Sequence, residues 1–460
     1  MTYQVNGRRL FGTDGVRGIA NQYPMDAATS MKLGQAIAAV LKDAPGLDQI
    51  VVGKDTRISG YVIESALVAG ICSMGMNVML VGPLPTPGIA FIANSMRARG
   101  GAMVSASHNP IEYNGVKFFD NYGFKLPDEV EAKMEELIFS DQLDKMRASP
   151  AKVGKAYRIE DASGRYIQYL KSSFPQNLTL EGLRIVLDCA NGAGYRVAPK
   201  VFAELGAEVI STCVAPNGLN INKGCGALYP ERMQRLVLEH NADVGIALDG
   251  DADRVIMCDE KGNVVDGDAI LAVCAKWLKA RGELTGNTVV GTHMSNMGLE
   301  LALKDNGINF VRTDVGDRYV MEVMRREGYV LGGETCGHII FLQHATCGDA
   351  IVAALRLLAV MREQQKPLSE IAQVFQALPQ VTKNVTVREK VPFEKIPDLL
   401  SSMKQVDEKL AGRGRQLVRY SGTENIARVM VEGENLELIN KLASGLAQLM
   451  NQAIGADFHK

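Results

Sequence analysis

The run VGIALDGDADRVIM (244–257) sets three aspartates, Asp249, Asp251 and Asp253, at alternate positions between two apolar segments. VGIAL has the length and composition of a buried strand, and the chain must leave the core where the carboxylates begin. Three carboxylates this close repel and raise one another's pKa. A divalent cation resolves the conflict, and all-oxygen ligands suit Mg2+ or Ca2+. Spacing alone leaves a solvated acidic turn open. An EF-hand is disfavoured. Glu260 falls at its twelfth position, but Arg254 stands sixth, where glycine is needed, and the flanks read as strands. A HAD-type phosphatase loop wants Thr or Val fifth, where this chain has Asp253.

Elsewhere short apolar runs alternate with helical patterns, which argues for α/β layers. IVVG (50–53) and GAMV (101–104) read as strands, and DEVEAKMEELIFSDQLDKM (128–146) as one long amphipathic helix. SPAKVGK (149–155) reads as a linker. LRIVLDCANGAG (183–194) opens a second unit that closes on the acidic loop, and NTVVGTHMSN (287–296), YVLGGETCGH (329–338) and the helix AIVAALRLLAVMREQ (350–364) form a third. A boundary is expected near 370–380. Beyond it the order is strand (NVTVREK), helix (393–410), strand (QLVRY), strand (ARVMVEG) and helix (ENLELINKLASGLAQLMNQ), an α+β pattern.

At 460 residues the chain has room for two to four domains of roughly 100–200 residues. A net charge of −2 gives no overall basic footprint for nucleic acid, so no nucleic-acid partner is expected. No apolar run approaches the roughly 20 residues of a membrane span, and no membrane partner is expected. MTYQVNGRRLFGTDG lacks the apolar stretch of a signal peptide. Eight scattered cysteines contain no CxxC pair, which predicts neither zinc nor a disulfide framework, but a reducing, cytoplasmic protein.

Two further turns carry chemistry. GAMVSASHNP (101–110) is a strand ending in Ser105, Ser107 and His108. Adjacent residues on extended backbone point apart, so Ser107 and His108 do not read as a hydrolase pair. A serine here is either a turn-capping residue or a nucleophile at a strand's C-terminal end, where open α/β sheets place their sites. RYSGTENIAR (419–428) is a hydroxyl-rich glycine turn flanked by Arg419 and Arg428, which suits a phosphate as well as it suits an ordinary surface turn. No GxxxxGK[ST] loop occurs, so an NTP-driven kinase is unsupported.

Together and in this order, FGTDGVRG (11–18), SASHNP (105–110), NGVKFF (114–119), DGDADR (249–254), TDVGDRY (313–319), GGETCGH (332–338) and RYSGTENIARVMVEG (419–433) resemble the α-D-phosphohexomutases across essentially the whole chain. The resemblance is strongest to the bacterial branch acting on glucosamine phosphate. It implies three related α/β domains with mixed sheets (1–156, 157–257, 258–372) and a mobile C-terminal α+β domain (373–460) around a central cleft. It implies that Ser107 carries the phosphoryl group and that Asp249, Asp251 and Asp253, with Ser107, hold Mg2+. It places Arg17 and Lys117 near the phosphoserine and Arg254 in the cleft. Glu334 and Cys336 would meet the sugar hydroxyls. Arg419, Ser421, Gly422, Thr423 and Arg428 would hold the phosphate not being transferred. A sugar 1,6-bisphosphate would act as intermediate and primer, Lys117 and His338 are candidates for proton transfer, and a homodimer is left open. Ser105 should matter far less than Ser107.

Two departures stand out. Cys336 replaces the family's usual serine, a better hydrogen-bond partner. Tyr420 and Asn425 replace the prolines of RPSGTEP, which would loosen that loop. The alternatives within the same chemistry are a phosphoglucomutase or phosphomannomutase. From other classes they are a phosphosugar-binding protein without catalysis, or a phosphatase. Intact Ser107 and all three aspartates argue against a pure binder.

Overall fold

The structure, a computed structural model, describes residues 9–12, 14–421 and 425–456. Its strands form four sheets. The first has seven strands in the order Phe11–Gly12, Gly15–Ile19, Tyr113–Asp120, Ala98–Val104, Leu47–Lys54, Asn77–Pro83 and Ala156–Arg158. The second has five, Val264–Val265, Val255–Asp259, Val244–Leu248, Arg184–Asp188 and Glu208–Thr212. The third has four, Asn309–Thr313, Thr288–Thr292, Leu331–Gly333 and Ile339–Phe341. The last is an antiparallel triplet of Gln380–Thr386, Ile426–Gly433 and Gly414–Tyr420. This is the expected α/β architecture: three related units with mixed sheets and a C-terminal α+β unit around a central cleft.

One device recurs in the first three sheets. A strand runs parallel to its inner neighbour, turns sharply, and returns as an antiparallel strand on the other side. Ala98–Val104 lies parallel to Leu47–Lys54 and antiparallel to Tyr113–Asp120. Val244–Leu248 does the same between Arg184–Asp188 and Val255–Asp259, and Leu331–Gly333 between Thr288–Thr292 and Ile339–Phe341. The turns between these strands begin at Ser105, Asp249 and Glu334. Buried strands consume their backbone donors in the ladder, so polar chemistry collects where the ladder stops.

All five residues of Val244–Leu248 are buried, as its uninterrupted apolar run requires. The helix Ala350–Gln364 is buried from Ala350 to Met361, a stretch in which Arg356 is the one charged residue. Asp349 starts it by accepting hydrogen bonds from the amides of Ile351 and Val352, each 3.0 Å long. A continuous core runs from Val51 through Ile185 and Ile246 to Leu331 and Leu355, fusing the first three units. The last unit has its own core, which includes Val385, Leu399, Val429 and Leu446. It joins the third by polar contacts: Asn296 exchanges hydrogen bonds with Leu378 at 3.0 and 2.9 Å, and Glu432 accepts from the Met297 amide at 2.9 Å.

The single helix expected over 128–146 is two. Asp128–Ile138 stops at Phe139 and a short helix, Gln142–Lys145, follows. Ser140 and Asp141 favour turn geometry over helix interior, and the amide of Gln142 donates to Ser140 Oγ. The stretch expected as a linker is followed directly by Ala156–Arg158, which pairs with the first sheet. The helix expected over 393–410 begins at Pro397, after a short turn of 3-10 helix at Phe393–Lys395. No helix among the described residues is long and apolar enough to cross a membrane.

Candidate active site

Ser107 follows the Ala98–Val104 strand in left-handed backbone, φ +52°, and its side chain is fully buried. A non-glycine residue there carries strain that its surroundings must hold. The Ser107 amide donates to Ser105 Oγ at 2.9 Å, and Ser105 Oγ donates to Asp55 Oδ2 at 2.7 Å. Arg57, fully buried and paired with Asp55 at 2.9 Å, donates to the carbonyls of Ser107 (2.9 Å), Asn109 (2.7 Å) and Pro110 (2.6 Å). Asn222 Nδ2 reaches the Ser107 carbonyl from the second unit at 2.8 Å. Ser105 therefore braces Ser107, a supporting place compatible with its being far less critical than Ser107 itself.

The acidic loop meets this turn face to face. Ser107 Oγ donates to Asp249 Oδ2 at 2.6 Å. Gly250 allows the approach, since a Cβ there would lie 2.5 Å from the Ser107 carbonyl oxygen. Asp249, Asp251 and Asp253 are all buried and offer one oxygen each within 4.8 Å of one another. Burial, then Asp253 and Asp251, hold the Asp249 carboxyl well above its ordinary range. Asp251 Oδ1 and Asp253 Oδ1 are buried without hydrogen-bond partners. Such hard, under-satisfied oxygens fit a divalent cation.

Cations close the other side. Lys117 Nζ lies 2.9 Å from Asp251, 3.0 Å from Asp253 and 3.2 Å from Asp14. Burial opposes its charge, yet Asp14, Asp251 and Asp253 raise it well above the usual lysine range. Arg17 pairs with Asp14, and Lys125 joins Asp14 to Asp317 of the third unit. Arg254 donates to His108 Nδ1 at 2.7 Å; burial and then the positive charge of Arg254 push that imidazole down to about 4. His338 is buried, with Nε2 3.3 Å from Asp317, Nδ1 3.8 Å from Asp253, and the Gly348 amide donating to Nε2 at 3.0 Å.

The third turn lies beside these groups. Its Gly337 packs on the strand after the acidic loop, where a Cβ would lie 2.0 Å from the Val255 oxygen. Glu334 Oε1 accepts from the Gly316 amide at 3.2 Å, and the Cys336 thiol, open to the cleft, donates to Glu334 Oε2 at 3.7 Å.

Arg419 and Arg428 stand directly opposite each other across two strands of the fourth sheet. Burial first, and then Arg428, lower the Arg419 pKa, so an anion between them would relieve the repulsion. Ser421, at the mouth of the turn, is buried, and its amide donates to the Ile426 carbonyl at 2.7 Å. Gly422 and Thr423 lie outside the described residues. The loop expected to be loosened by Tyr420 and Asn425 runs through residues outside the described ones, but Tyr420 itself is held. Its ring stacks on Phe393 with centroids 4.5 Å apart, and its hydroxyl donates to the Val391 carbonyl at 2.6 Å.

The first three turns thus bring together Ser107, the aspartate triad, Arg17, Lys117, Arg254, His338, Glu334 and Cys336. Arg419, Ser421 and Arg428 form a separate anion-suited group. Sequence reading missed Asp55 and Arg57, although KDTR follows a strand as the other polar turns do. It also missed Thr86, whose hydroxyl donates to Asp251 Oδ2 at 2.5 Å, and Asn222, whose contacts join distant segments.

Four family profiles, all described as phosphoglucomutase/phosphomannomutase, match the chain. Alpha/beta/alpha domains I, II and III match residues 8–145, 164–262 and 266–378, and the C-terminal domain matches 382–449. The chain is 57% identical over 450 residues to a phosphoglucosamine mutase of Citrifermentans bemidjiense, covering 98% of this chain and 99% of the relative. It is 54% identical over 447 residues to one of Myxococcus xanthus, covering 97% and 98%. Among solved structures it is similar to a phosphoglucomutase/phosphomannomutase family protein of Burkholderia thailandensis, with a TM-score of 0.79 and 20% identity over 96% of this chain and 97% of the other. It is also similar to Aspergillus fumigatus N-acetylphosphoglucosamine mutase, with a TM-score of 0.65 and 19% identity over 99% and 98%.

Proposed function

The chain belongs to the phosphoglucomutase/phosphomannomutase family and is a phosphosugar mutase, and from that premise we propose that it interconverts glucosamine 6-phosphate and glucosamine 1-phosphate, with Ser107 as the phosphoryl carrier. The observation that carries this reading is the 2.6 Å contact from Ser107 Oγ to Asp249, at the edge of a buried triad of carboxylates. The identity to phosphoglucosamine mutases along nearly the whole chain supports the choice of sugar.

Asp249, Asp251, Asp253 and Ser107 would hold Mg2+, the hard cation that their oxygens suit. When bound, the metal supplies charge neutralisation for the phosphoserine and polarises its phosphorus–oxygen bond. Five carboxylates here (Asp14, Asp249, Asp251, Asp253, Asp317) face four cationic side chains (Arg17, Lys117, Lys125, Arg254). A divalent cation and a phosphoserine dianion can therefore enter together without changing the balance.

The substrate's own phosphate docks against Arg419, Arg428 and Ser421, with Gly422 and Thr423 of the same turn. Glu334 and Cys336 meet the sugar hydroxyls, and Arg17 and Arg254 flank the reacting phosphate. The free hydroxyl attacks phospho-Ser107 and gives a sugar 1,6-bisphosphate, which also serves as primer for unphosphorylated enzyme. The bisphosphate turns, and Ser107 takes back the other phosphoryl group. Phosphoryl transfer of this kind rests on positioning and charge more than on covalent chemistry. The separate core and polar hinge of the fourth unit support an opening that lets the intermediate turn.

Of the two proton-transfer candidates, placement favours Lys117. Held as the ammonium, it can protonate the oxygen that leaves phosphorus, Ser107 Oγ when the sugar hydroxyl attacks and the sugar oxygen when Ser107 attacks, and the amine this leaves takes up the proton of the attacking hydroxyl. His338, wedged between Asp253 and Asp317 and capped by the Gly348 amide, suits a role in orienting Asp253. The eight free cysteines suit a reducing, cytoplasmic setting.

The deciding experiment is a panel of glucosamine, glucose and mannose 6-phosphates, primed with a trace of the 1,6-bisphosphate and followed for 1-phosphate formation. The highest kcat/KM is expected for glucosamine 6-phosphate. A clear preference for glucose or mannose would overturn the sugar assignment, and release of inorganic phosphate without isomer would overturn the reaction.

A further inference from the structure

NINKGCGALYP (220–230) contributes Asn222 to the Ser107 turn, but its buried Cys225 takes no part there. Cys225 instead meets two residues at the C-terminal ends of neighbouring parallel strands. Asp188 ends Arg184–Asp188, and Cys213 follows Glu208–Thr212. One carboxylate oxygen and the two sulfurs all lie within 4.8 Å of one another. Asp188 is fully buried; its Oδ1 accepts from the Ala190 amide at 2.8 Å, while Oδ2 is buried and makes no hydrogen bond. A buried carboxylate beside two thiols must be satisfied by a weak S–H or N–H donor or by a cation, and a cation would engage all three groups at once.

We propose that Asp188, Cys213 and Cys225 form a structural site for a soft divalent cation of the zinc class, separate from the magnesium cluster. Two sulfurs and one oxygen are a zinc-type donor set, whereas the triad at 249–253 offers oxygen alone. Cys213 is only half-buried, which leaves one side for a water as fourth ligand. A carboxylate and two thiolates around a dication leave one negative charge. Arg232, whose Nε donates to Thr212 Oγ1 at 3.2 Å, stands close enough to offset it.

The site would hold backbone that needs holding. Ala190, Asn191, Cys213 and Asn222 all have positive φ, between 49° and 57°. Asn222 links this corner to catalysis: its amide donates to the Ala190 carbonyl at 2.9 Å, and its side chain to the carbonyls of Ser107 at 2.8 Å and Asn109 at 3.1 Å. A metal tying Cys225 to the strand ends would brace the turn that carries Ser107.

Cobalt provides the test. The full-length protein is stripped with chelator under reductant and titrated with Co2+ in excess Mg2+, which occupies the oxygen cluster. A near-ultraviolet thiolate-to-cobalt charge-transfer band should saturate at equimolar cobalt and disappear on addition of zinc. Cys213→Ser and Cys225→Ser should each lose the band, while Cys336→Ser keeps it. Cys213 is the more accessible position, so its variant guards against loss through misfolding, and circular dichroism checks that each variant is folded. No band from reduced wild-type protein would overturn the proposal, as would a band that survives in both cysteine variants. A Cys213–Cys225 disulfide in protein that never develops the band would overturn it in favour of a redox pair.

Discussion

Ser107 and Asp249 stand 142 residues apart in the chain and meet through a 2.6 Å hydrogen bond from the serine hydroxyl to the carboxylate. This contact joins the turn of the first sheet to that of the second, and it makes Ser107 the group to test first. Intact-mass analysis should find a phosphate on active enzyme that Ser107→Ala lacks, and turnover should vanish with it. Ser105→Ala removes the acceptor of the Ser107 amide and should cost about 1–3 kcal/mol in a buried setting. It should give a partial loss of kcat with phosphorylation retained. Normal turnover by Ser107→Ala would end the assignment.

Removing metal should stop the reaction and Mg2+ should restore it. A ligand bound only by the folded state raises stability, by about 2.7 kcal/mol at a hundred times its Kd. Mg2+ should therefore raise Tm of the wild type, and Asp251→Asn should reduce the rise, because the variant lacks one of the triad's negative charges. Full activity in metal-free buffer would remove the triad from the mechanism.

Arg419 faces Arg428 across the strand pair, where like charges repel. Arg419→Ala should weaken phosphate binding by about 1.5–3 kcal/mol, the range for a charge-assisted contact, and appear chiefly as a raised KM. Unchanged kinetics would reject the role.

The local half of this site was legible in the sequence, because strand ends announce themselves. VGIAL before three aspartates and GAMV before SASHNP each mark where a buried ladder must stop and polar groups begin. What pairs across the cleft was not legible. Lys125 reaches Asp317 over 192 residues, and Lys117 reaches Asp251 over 134, with no local pattern to signal either. Arg57 likewise reads as an exposed turn residue, although its guanidinium donates four hydrogen bonds, to three carbonyls and a carboxylate that only the folded chain assembles. The break at Ser140 was missed because apolar periodicity resumes after it and masks the turn.

Asp268 predicts a pH signature. Burial pushes its carboxyl up to about 7, although its Oδ2 accepts from the Asn296 amide at 2.8 Å and from Thr335 Oγ1 at 2.9 Å. The folded value lies above the unfolded one, near 3.9. Its contribution to stability is therefore fully present below about pH 4 and is lost as pH rises through about 7. Asp268→Asn cannot titrate. The Tm difference, wild type minus variant, should fall between pH 4 and 7 and then level off. A difference independent of pH would mean that Asp268 stays ionised in the fold.

Cys336 tests how the sugar is held. Its thiol opens to the cleft and donates to Glu334 Oε2 at 3.7 Å, and crowding by the cleft walls pushes its pKa up to about 12. At neutral pH it is therefore a neutral thiol, a weak donor and weak acceptor beside the carboxylate proposed to bind sugar hydroxyls. A serine there offers a stronger donor and two acceptor lone pairs in nearly the same volume. A neutral hydrogen bond is worth about 0.5–1.5 kcal/mol net, so Cys336→Ser should lower KM by roughly two- to tenfold. The hydroxyls concerned are common to glucose and glucosamine phosphates, so both should gain by similar factors and their kcat/KM ratio should stay fixed. Parallel assays on the two 6-phosphates decide the matter. A gain for one sugar alone would place position 336 against the carbon-2 substituent, making it a determinant of specificity, and no change for either would remove it from sugar contact.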